Sequence, residues 1–308
     1  MKRPRKAAGS ARVDLKIGFR CNNMCAFCVQ GDKRDKFGPK TLGEIETALK
    51  EGRAKGAGGV VLTGGEPTIH ETFLDTLRLA KGLGYSTIQV QTNGRRFCYP
   101  DFCKAAVEAG ATEVSPALHG STAALHEFLT GARGSYAQTV TGIRNLKSLG
   151  VYVLTNTVIT RANYRDLPAL ARLFVKLGVD QFQFAFVHVA GRAAENAQWL
   201  VPRKVLVEPW VKKALDVGLA SRRTVMTEAI PYCRMRGYEA CVAERIIPET
   251  TVYDAEITIQ SYTTTRREEG KAKGPRCKAC ARFKDCEGPW KEYPGLYGWD
   301  EFVPVPAE

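Results

Sequence analysis

Short apolar runs rich in β-branched residues alternate along this chain with longer segments whose apolar positions recur at helical spacing. Residues 13–19 read as a strand, and residues 42–54 have the spacing of an amphipathic helix. Residues 59–63 form a short apolar strand that ends in Gly64-Gly65. Residues 71–83 read as a helix carrying Leu74, Leu77 and Leu79, with Gly84 as its stop signal. The alternation continues with strands over 87–91, 113–117, 151–159 and 181–189 and helices over 101–109, 136–149 and 167–177. Six strands separated by helices predict parallel βαβ units. Short apolar strands are what a sheet covered on both faces requires. An open doubly wound sheet and a barrel both fit, and in both the ligands sit at the carboxyl ends of the strands.

The alternation stops near residue 200. Residues 202–219 read as a further helix, 225–230 as a strand and 250–262 as β-rich, within a segment heavy in Cys, Gly, Pro and charge. Residues 266–276 look like a mobile basic loop. The expected division is a basic flexible N-terminus (1–12), a β/α unit (13–200) and a C-terminal extension (201–308). With 308 residues, 44% of them hydrophobic, the chain can build one large domain and a smaller unit. No apolar run approaches the roughly 20 residues of a membrane span. The start, with Lys2, Arg3, Arg5 and Lys6, lacks the apolar core of a signal peptide. Ten cysteines without an export signal point to a reducing cytoplasm and to metal binding rather than disulfides. A net charge of +13 favours acidic partners such as nucleic acid, but the charges are dispersed and not interleaved with aromatics. A generally basic protein without such a partner fits equally well.

Chemistry concentrates on the turns after the strands. Cys21, Cys25 and Cys28 form a C-x3-C-x2-C triplet directly after the first strand. Three thiolates on one loop can hold three corners of a cubic iron–sulfur cluster and leave the fourth iron without a protein ligand. A cluster that only carries electrons is normally held by four cysteines. Zinc prefers paired C-x2-C units and closes with four ligands, so here it would need a distant partner. Gly64-Gly65-Glu66-Pro67 follows the second strand, Thr92-Asn93-Gly94 the third, and Ser115 to His119 the fourth. Four ligand-bearing turns on one rim predict a site there.

These residues resemble the radical S-adenosylmethionine (SAM) superfamily. The resemblance rests on the triplet with Phe27 before its last cysteine, on Gly64-Gly65-Glu66-Pro67 and on Thr92-Asn93-Gly94, and covers residues 13–190. Residues 125–136 and 142–146 are similar to the subgroup with SPASM or Twitch extensions. The resemblance implies a (β/α)6 partial TIM barrel with a small C-terminal iron–sulfur extension. It implies a [4Fe-4S] cluster held by Cys21, Cys25 and Cys28, with SAM on its open iron. SAM is there cleaved reductively to methionine and a 5′-deoxyadenosyl radical, which takes a substrate hydrogen. It further implies Gly64, Gly65 and Glu66 near the methionine amino group, Phe27 near the adenine, and Asn93, Ser115, Asn156, Val187 and His188 as cofactor contacts. Here Ser115-Pro-Ala-Leu-His119 departs from the Ser-Leu-Asp-like turn of many relatives. No catalytic residue is assigned; His119, His188, Tyr136 and Glu228 are candidate proton acceptors by position.

A second group, Cys277, Cys280 and Cys286, is spaced C-x2-C-x5-C. It is similar to part of the SPASM pattern, but Trp290 stands where that pattern has its next cysteine. The resemblance therefore implies one auxiliary [4Fe-4S] cluster, with Cys233 as fourth ligand and Cys241 in reserve; a zinc knuckle is the alternative. Cys98 and Cys103 read as packing residues. The function expected is oxidation or crosslinking of a peptide or small natural-product precursor, with an electron donor such as flavodoxin or ferredoxin and no membrane partner. The alternatives are a radical SAM enzyme of RNA or nucleotides, and a metal-containing nucleic-acid-binding regulator without catalysis.

Overall fold

A computed structural model of the chain describes residues 11–307. Lys2, Arg3, Arg5 and Lys6, and with them most of the expected N-terminal segment, lie outside the described residues. Strands β1 (Arg12–Gly18), β2 (Gly59–Gly64), β3 (Thr87–Thr92), β4 (Glu113–Pro116), β5 (Tyr152–Ile159) and β6 (Gln181–Phe186) stand side by side in chain order, every neighbouring pair parallel. Helices α1 (Leu42–Ala54), α2 (Phe73–Gly82), α3 (Pro100–Ala109), α4 (Ala123–Thr130), α5 (Ser135–Ser148) and α6 (Leu167–Lys176) make the crossovers. This is the parallel α/β architecture of a (β/α)6 partial barrel.

Residue alternation sets what each face of the strands does. Val13, Leu15 and Ile17 are fully buried in the core with Ile45 and Leu49 of α1, which packs on β1. Their neighbours Asp14 and Lys16 therefore point into the barrel. Asp14 accepts from the Thr63 hydroxyl at 2.6 Å, and Lys16 pairs with Asp254 at 3.4 Å. Helix α1 starts where it does because Thr41 and Glu44 form a capping box: Thr41 N–H donates to Glu44 at 2.7 Å, and Glu44 N–H donates to Thr41 at 3.3 Å.

The sheet continues past residue 200. Helices α7 (Arg192–Glu195), α8 (Ala197–Leu200) and α9 (Lys204–Ala220) lead to β7 (Thr224–Glu228), which adds in parallel to β6. Strand β8 (Thr250–Tyr253) adds in parallel to β1 at the other edge, and β9 (Thr258–Ile259) runs antiparallel beside it. The stretch expected as a mobile basic loop is packed instead. Arg266 is buried and grips Glu287 through two hydrogen bonds, of 2.7 and 2.8 Å, and Lys271 pairs with Glu244 at 3.1 Å. A count of local charge misses this, because the acids lie 21 residues downstream and 27 upstream. No helix among the described residues is long and apolar enough to cross a membrane.

The C-terminal residues cap α9. Arg203, its N-cap, makes no side-chain cap. Lys204 N–H donates instead to Tyr293 Oη at 2.7 Å, and Val205 N–H to Glu301 Oε2 at 3.3 Å. Tyr293 OH in turn donates to Glu301 Oε1. A buried carboxylate at a helix N-terminus satisfies orphan donors and meets the positive end of the dipole. Glu301→Ala is therefore expected to cost about 2 kcal/mol in urea unfolding; an unchanged midpoint would show that the cap contributes nothing.

Candidate active site

The cysteine triplet lies on a loop that leaves β1 and is held chiefly through its backbone. Met24 N–H donates to Thr130 O at 2.8 Å and Ala26 N–H to Leu129 O at 3.0 Å, so the end of α4 pins the loop. From α7 and beyond, Arg192 N–H donates to Cys28 O (3.0 Å), Arg192 Nη1 to Met24 O (2.8 Å) and Asn196 Nδ2 to Ala26 O (3.0 Å). Arg34 Nη2 donates to Asn23 O at 2.5 Å, and Arg95 Nη1 to Asn22 O and, at 3.1 Å, to Asn23 Oδ1. Behind the loop, Phe27 is buried edge-on against His119, with ring centroids 4.5 Å apart. His119 stacks on His126 at 5.8 Å, and His126 meets Tyr136 at 6.0 Å. Burial holds His119 well below the ordinary imidazole range and His126 at about 4, so both rings are neutral. Val158 N–H donates to His119 Nδ1 at 3.3 Å, and Tyr136 OH to Ser121 O at 2.8 Å. Two of the candidate proton acceptors are thus built into the packing behind the loop.

The thiols themselves are partly buried. Burial raises the pKa of Cys21, Cys25 and Cys28, and for Cys25 the neighbouring Cys21 and Cys28 add to it. Such a set becomes three thiolates only beside a cation, which a coordinating metal supplies. Among the described residues no three His, Cys, Asp or Glu side chains are arranged to hold a single metal ion. A cubane asks for a wider arrangement, because each thiolate takes its own iron, and three cysteines on one loop fit three of its corners.

The Gly64-Gly65-Glu66 turn is pressed against the base of this loop. Gly65 N–H donates to Gly18 O and Glu66 N–H to Arg20 O, both at 2.8 Å. Gly64 has φ +121°, and a Cβ there would fall 2.1 Å from Gly18 O; one on Gly65 would fall 2.3 Å from both Phe19 O and Arg20 O. Only glycine allows this approach. Glu66 is buried, which raises its pKa, but four donors hold it. Oε1 accepts from Thr68 N–H (3.1 Å), Thr68 OH (2.6 Å) and Thr92 OH (2.7 Å), and Oε2 from Asn93 N–H (2.6 Å). The acid expected to face a ligand ammonium is engaged by the protein's own donors, and it ties the carboxyl ends of β2 and β3 together. Asn93 extends the chain of contacts: its Nδ2 lies 2.5 Å from Asn22 Oδ1 and 3.9 Å from Cys21 Sγ.

Around the same rim, Ser115 is buried on β4 in register with Gln91. Asn156, on β5, has a buried Oδ1 with no protein partner, so it is an acceptor available to a ligand. Val187 is buried after β6, and His188 stacks on Trp290 (4.0 Å, 13°) with Nε2 3.5 Å from Glu292. Glu228 lies in the barrel and accepts from Gln183 Nε2 at 2.6 Å; burial, then Glu244, raises its pKa.

Next to the barrel, Cys233, Cys277, Cys280 and Cys286 line one cavity of about 410 Å³ including its open mouth. Cys241 does not line it; it is buried, with Asp216 as its charged neighbour. Burial pushes the Cys233 thiol up to about 12, helped by Cys286, Cys277 and Cys280. Val305 N–H donates to Cys280 Sγ at 3.3 Å. Cys103 is buried apart from both groups, with its thiol on Phe97 O at 2.9 Å. The structure also shows residues that the sequence reading missed. Arg34, Arg95, Arg192 and Asn196 act on loop carbonyls up to 170 residues away, and no local motif announces such contacts.

Comparison with known proteins agrees with this geometry. Residues 15–174, just over half of the chain, match the Radical SAM superfamily. A protein of Saccharolobus solfataricus named "Probable GTP 3',8-cyclase" is 29% identical over 187 residues, covering 59% of each chain. A PqqA peptide cyclase of a Methylobacterium species is 30% identical over 194 residues, covering 61% of this chain and 49% of that one. This chain therefore matches well under two thirds of these relatives' lengths. Among solved structures, Streptococcus suis SuiB bound to S-adenosylmethionine shares the fold at TM-score 0.70, with 14% identity over 96% of this chain and 76% of that one. The chain belongs to the radical SAM superfamily, and its cofactors are accordingly a [4Fe-4S] cluster and SAM.

Proposed function

We propose that this radical SAM enzyme oxidises or crosslinks a peptide, aided by one auxiliary [4Fe-4S] cluster in a Twitch- or SPASM-like extension. The observation that carries the reading is the single cavity lined by Cys233, Cys277, Cys280 and Cys286. An auxiliary cluster supplies an electron acceptor for a substrate radical, which suits oxidative chemistry. The cavity lies close to the barrel mouth in the fold: Pro289 lines it, and the next residue, Trp290, stacks on His188 at the end of β6. A peptide substrate is supported by the named relatives, a PqqA peptide cyclase and SuiB, the latter also solved with its precursor peptide SuiA. Cys21, Cys25 and Cys28 would hold the first cluster, with Asn93 and the glycine turn positioning Cys21 and the loop base. Asn156 offers an acceptor to SAM or substrate. Thiol ligands of this kind need a reducing compartment, which makes the cytoplasm the proposed location.

A second reading, modification of a nucleotide, is favoured by the GTP cyclase relatives. The barrel interior opposes it. Lys16 is paired with Asp254, Arg266 with Glu287 and Lys271 with Glu244, while Arg12 has Asp14, Glu228 and Glu113 around it. A polyphosphate needs uncompensated cations, and these four are compensated; the buried Lys204 ammonium, which has no hydrogen-bond partner, is a cation that such a substrate could still use.

Anaerobic reconstitution tests the reading. The wild type is expected to hold about eight irons per chain, and Cys233→Ala about four if the auxiliary site is lost. Reductant and SAM should release 5′-deoxyadenosine in both. Four irons in the wild type, unaltered by the substitution, would remove the auxiliary cluster and with it the oxidative reading.

A further inference from the structure

One buried cation behind the second cysteine cavity has no hydrogen-bond or ion-pair partner among the described residues. Lys204, the first residue of α9, is fully buried, and its Nζ is unpartnered. The ammonium lies 2.9 Å from the centroid of the Phe186 ring and 4.4 Å from that of Tyr293. Ring faces attract a cation only weakly compared with what its burial costs. Burial, then Lys271, draws its pKa down, while Glu301, Glu244 and Cys233 oppose the shift. Both acids are engaged elsewhere. Glu301 accepts from Val205 N–H at 3.3 Å and from Tyr293 OH, and faces Arg203 at 3.7 Å. Glu244 holds Lys271 at 3.1 Å and Ala229 N–H at 2.8 Å. The cysteine cavity is one ring away. Tyr293 packs on Phe302 with centroids 5.9 Å apart, and Phe302 is a wall of the cavity that Cys233, Cys277, Cys280 and Cys286 line. Other cations near that cavity are paired or in water: Arg234 holds Glu208 at 3.1 Å, Arg282 faces Asp285 at 3.8 Å, and Lys273 is exposed.

We propose that Lys204 is the charge partner of the auxiliary cluster and raises its reduction potential. The inference rests on the cluster proposed for this cavity. Four thiolates outweigh the positive charge of the cubane they hold, so the loaded site is an anion, and one-electron reduction makes it a stronger one. A buried cation nearby stabilises the reduced state more than the oxidised, because the interior screens charge poorly. The step it favours is the passage of one electron from a substrate radical to the cluster, in which Lys204 makes and breaks no bond. A nucleotide phosphate is the other anion that an orphaned ammonium suits. A phosphate, however, must touch the ammonium, and a fully buried Nζ under two rings offers it no surface. The charge of a cluster acts through Tyr293 and Phe302 without contact.

Dye-mediated redox titration of the reconstituted full chain, followed by electron paramagnetic resonance, tests this. The wild type should show separate reduction waves for its two clusters, and added SAM should move the wave of the cluster on Cys21, Cys25 and Cys28. Lys204→Met keeps an unbranched chain of similar length without the charge. It is expected to lower the SAM-insensitive wave by about 59 mV or more, a tenfold loss in the equilibrium for reduction, and to leave the other wave in place. A SAM-insensitive wave that does not move overturns the inference, and so does an equal shift of both waves. An unmoved wave with weakened GTP binding assigns the ammonium to a nucleotide instead. If Lys204→Met loads only the first cluster, urea unfolding of the metal-free chain decides. Stability at or above wild type means that the cavity has lost the charge its cluster needs; a loss of stability means that Lys204 serves packing alone, and overturns the inference. A wild type with about four irons and a single wave removes the auxiliary cluster, and with it the proposed function. A second wave that ignores Lys204 leaves the proposed function standing.

Discussion

Cys25→Ala is expected to abolish reductive SAM cleavage, lowering 5′-deoxyadenosine formation by about a thousandfold or more. Cys25 is the middle thiol of the triplet, and its pKa carries the influence of both neighbours as well as burial. Without it the loop offers two thiolates to a group that needs three, and no other cysteine of the chain lines this site: the remaining seven are Cys98 and Cys103, Cys241, and the four around the second cavity. The loop itself should survive the change. Its fixing bonds run from Met24 and Ala26 N–H to α4, and from Arg34, Arg192 and Asn196 to loop carbonyls; none uses the Cys25 thiol. The apo protein should therefore unfold within about 1 kcal/mol of wild type while its SAM chemistry is lost. The two readouts separate a missing ligand from a collapsed loop. Retention of more than a few per cent of the cleavage rate would take Cys25 out of the ligand set.

That separation of thiol from scaffold also explains what could be read in advance. Cys21, Cys25, Cys28 and Gly64-Gly65 are legible because type and spacing carry their chemistry within a few residues, directly after strands that periodicity locates. The extent of β1 through β6 follows from the same periodicity, since parallel strands covered on both faces are short apolar runs. Helix α4 is missed because eight residues give too few turns for a helical period, yet its last carbonyls hold the cysteine loop. Arg192 and Asn196 are missed because they recognise backbone, which every residue has. The stretch 266–276 is misread because its charge is visible locally while Glu287 and Glu244, which neutralise it, come from elsewhere in the fold. Glu66 is half legible: its place on the rim is evident, but its four donors come from Thr68, Thr92 and Asn93, and only the turn's geometry shows that it faces inward.

Gly65→Ala should be among the most damaging substitutions outside the cysteines, costing about 3–5 kcal/mol and most of the bound iron. The reason is contact, not backbone conformation, since Gly65 does not need a positive φ. A Cβ there would lie 2.3 Å from Phe19 O and from Arg20 O. Both obstacles are main-chain oxygens at the base of the cysteine loop, so neither can swing aside as the end of a side chain would. Relief requires the β2 turn and the loop to part, which breaks Gly65 N–H to Gly18 O and Glu66 N–H to Arg20 O. Those bonds set the height of Cys21 above the β2 end, and their loss leaves buried donors unpaired. Gly82→Ala is the control: nothing lies within 4 Å of its Cβ position, and it ends α2, so alanine there should be neutral or slightly stabilising. Urea unfolding and iron content, measured on both variants, check the claim together. A Gly65→Ala protein of wild-type stability that still fills its cluster would mean the turn and the loop are not mechanically joined, and that the glycines serve the ligand side alone.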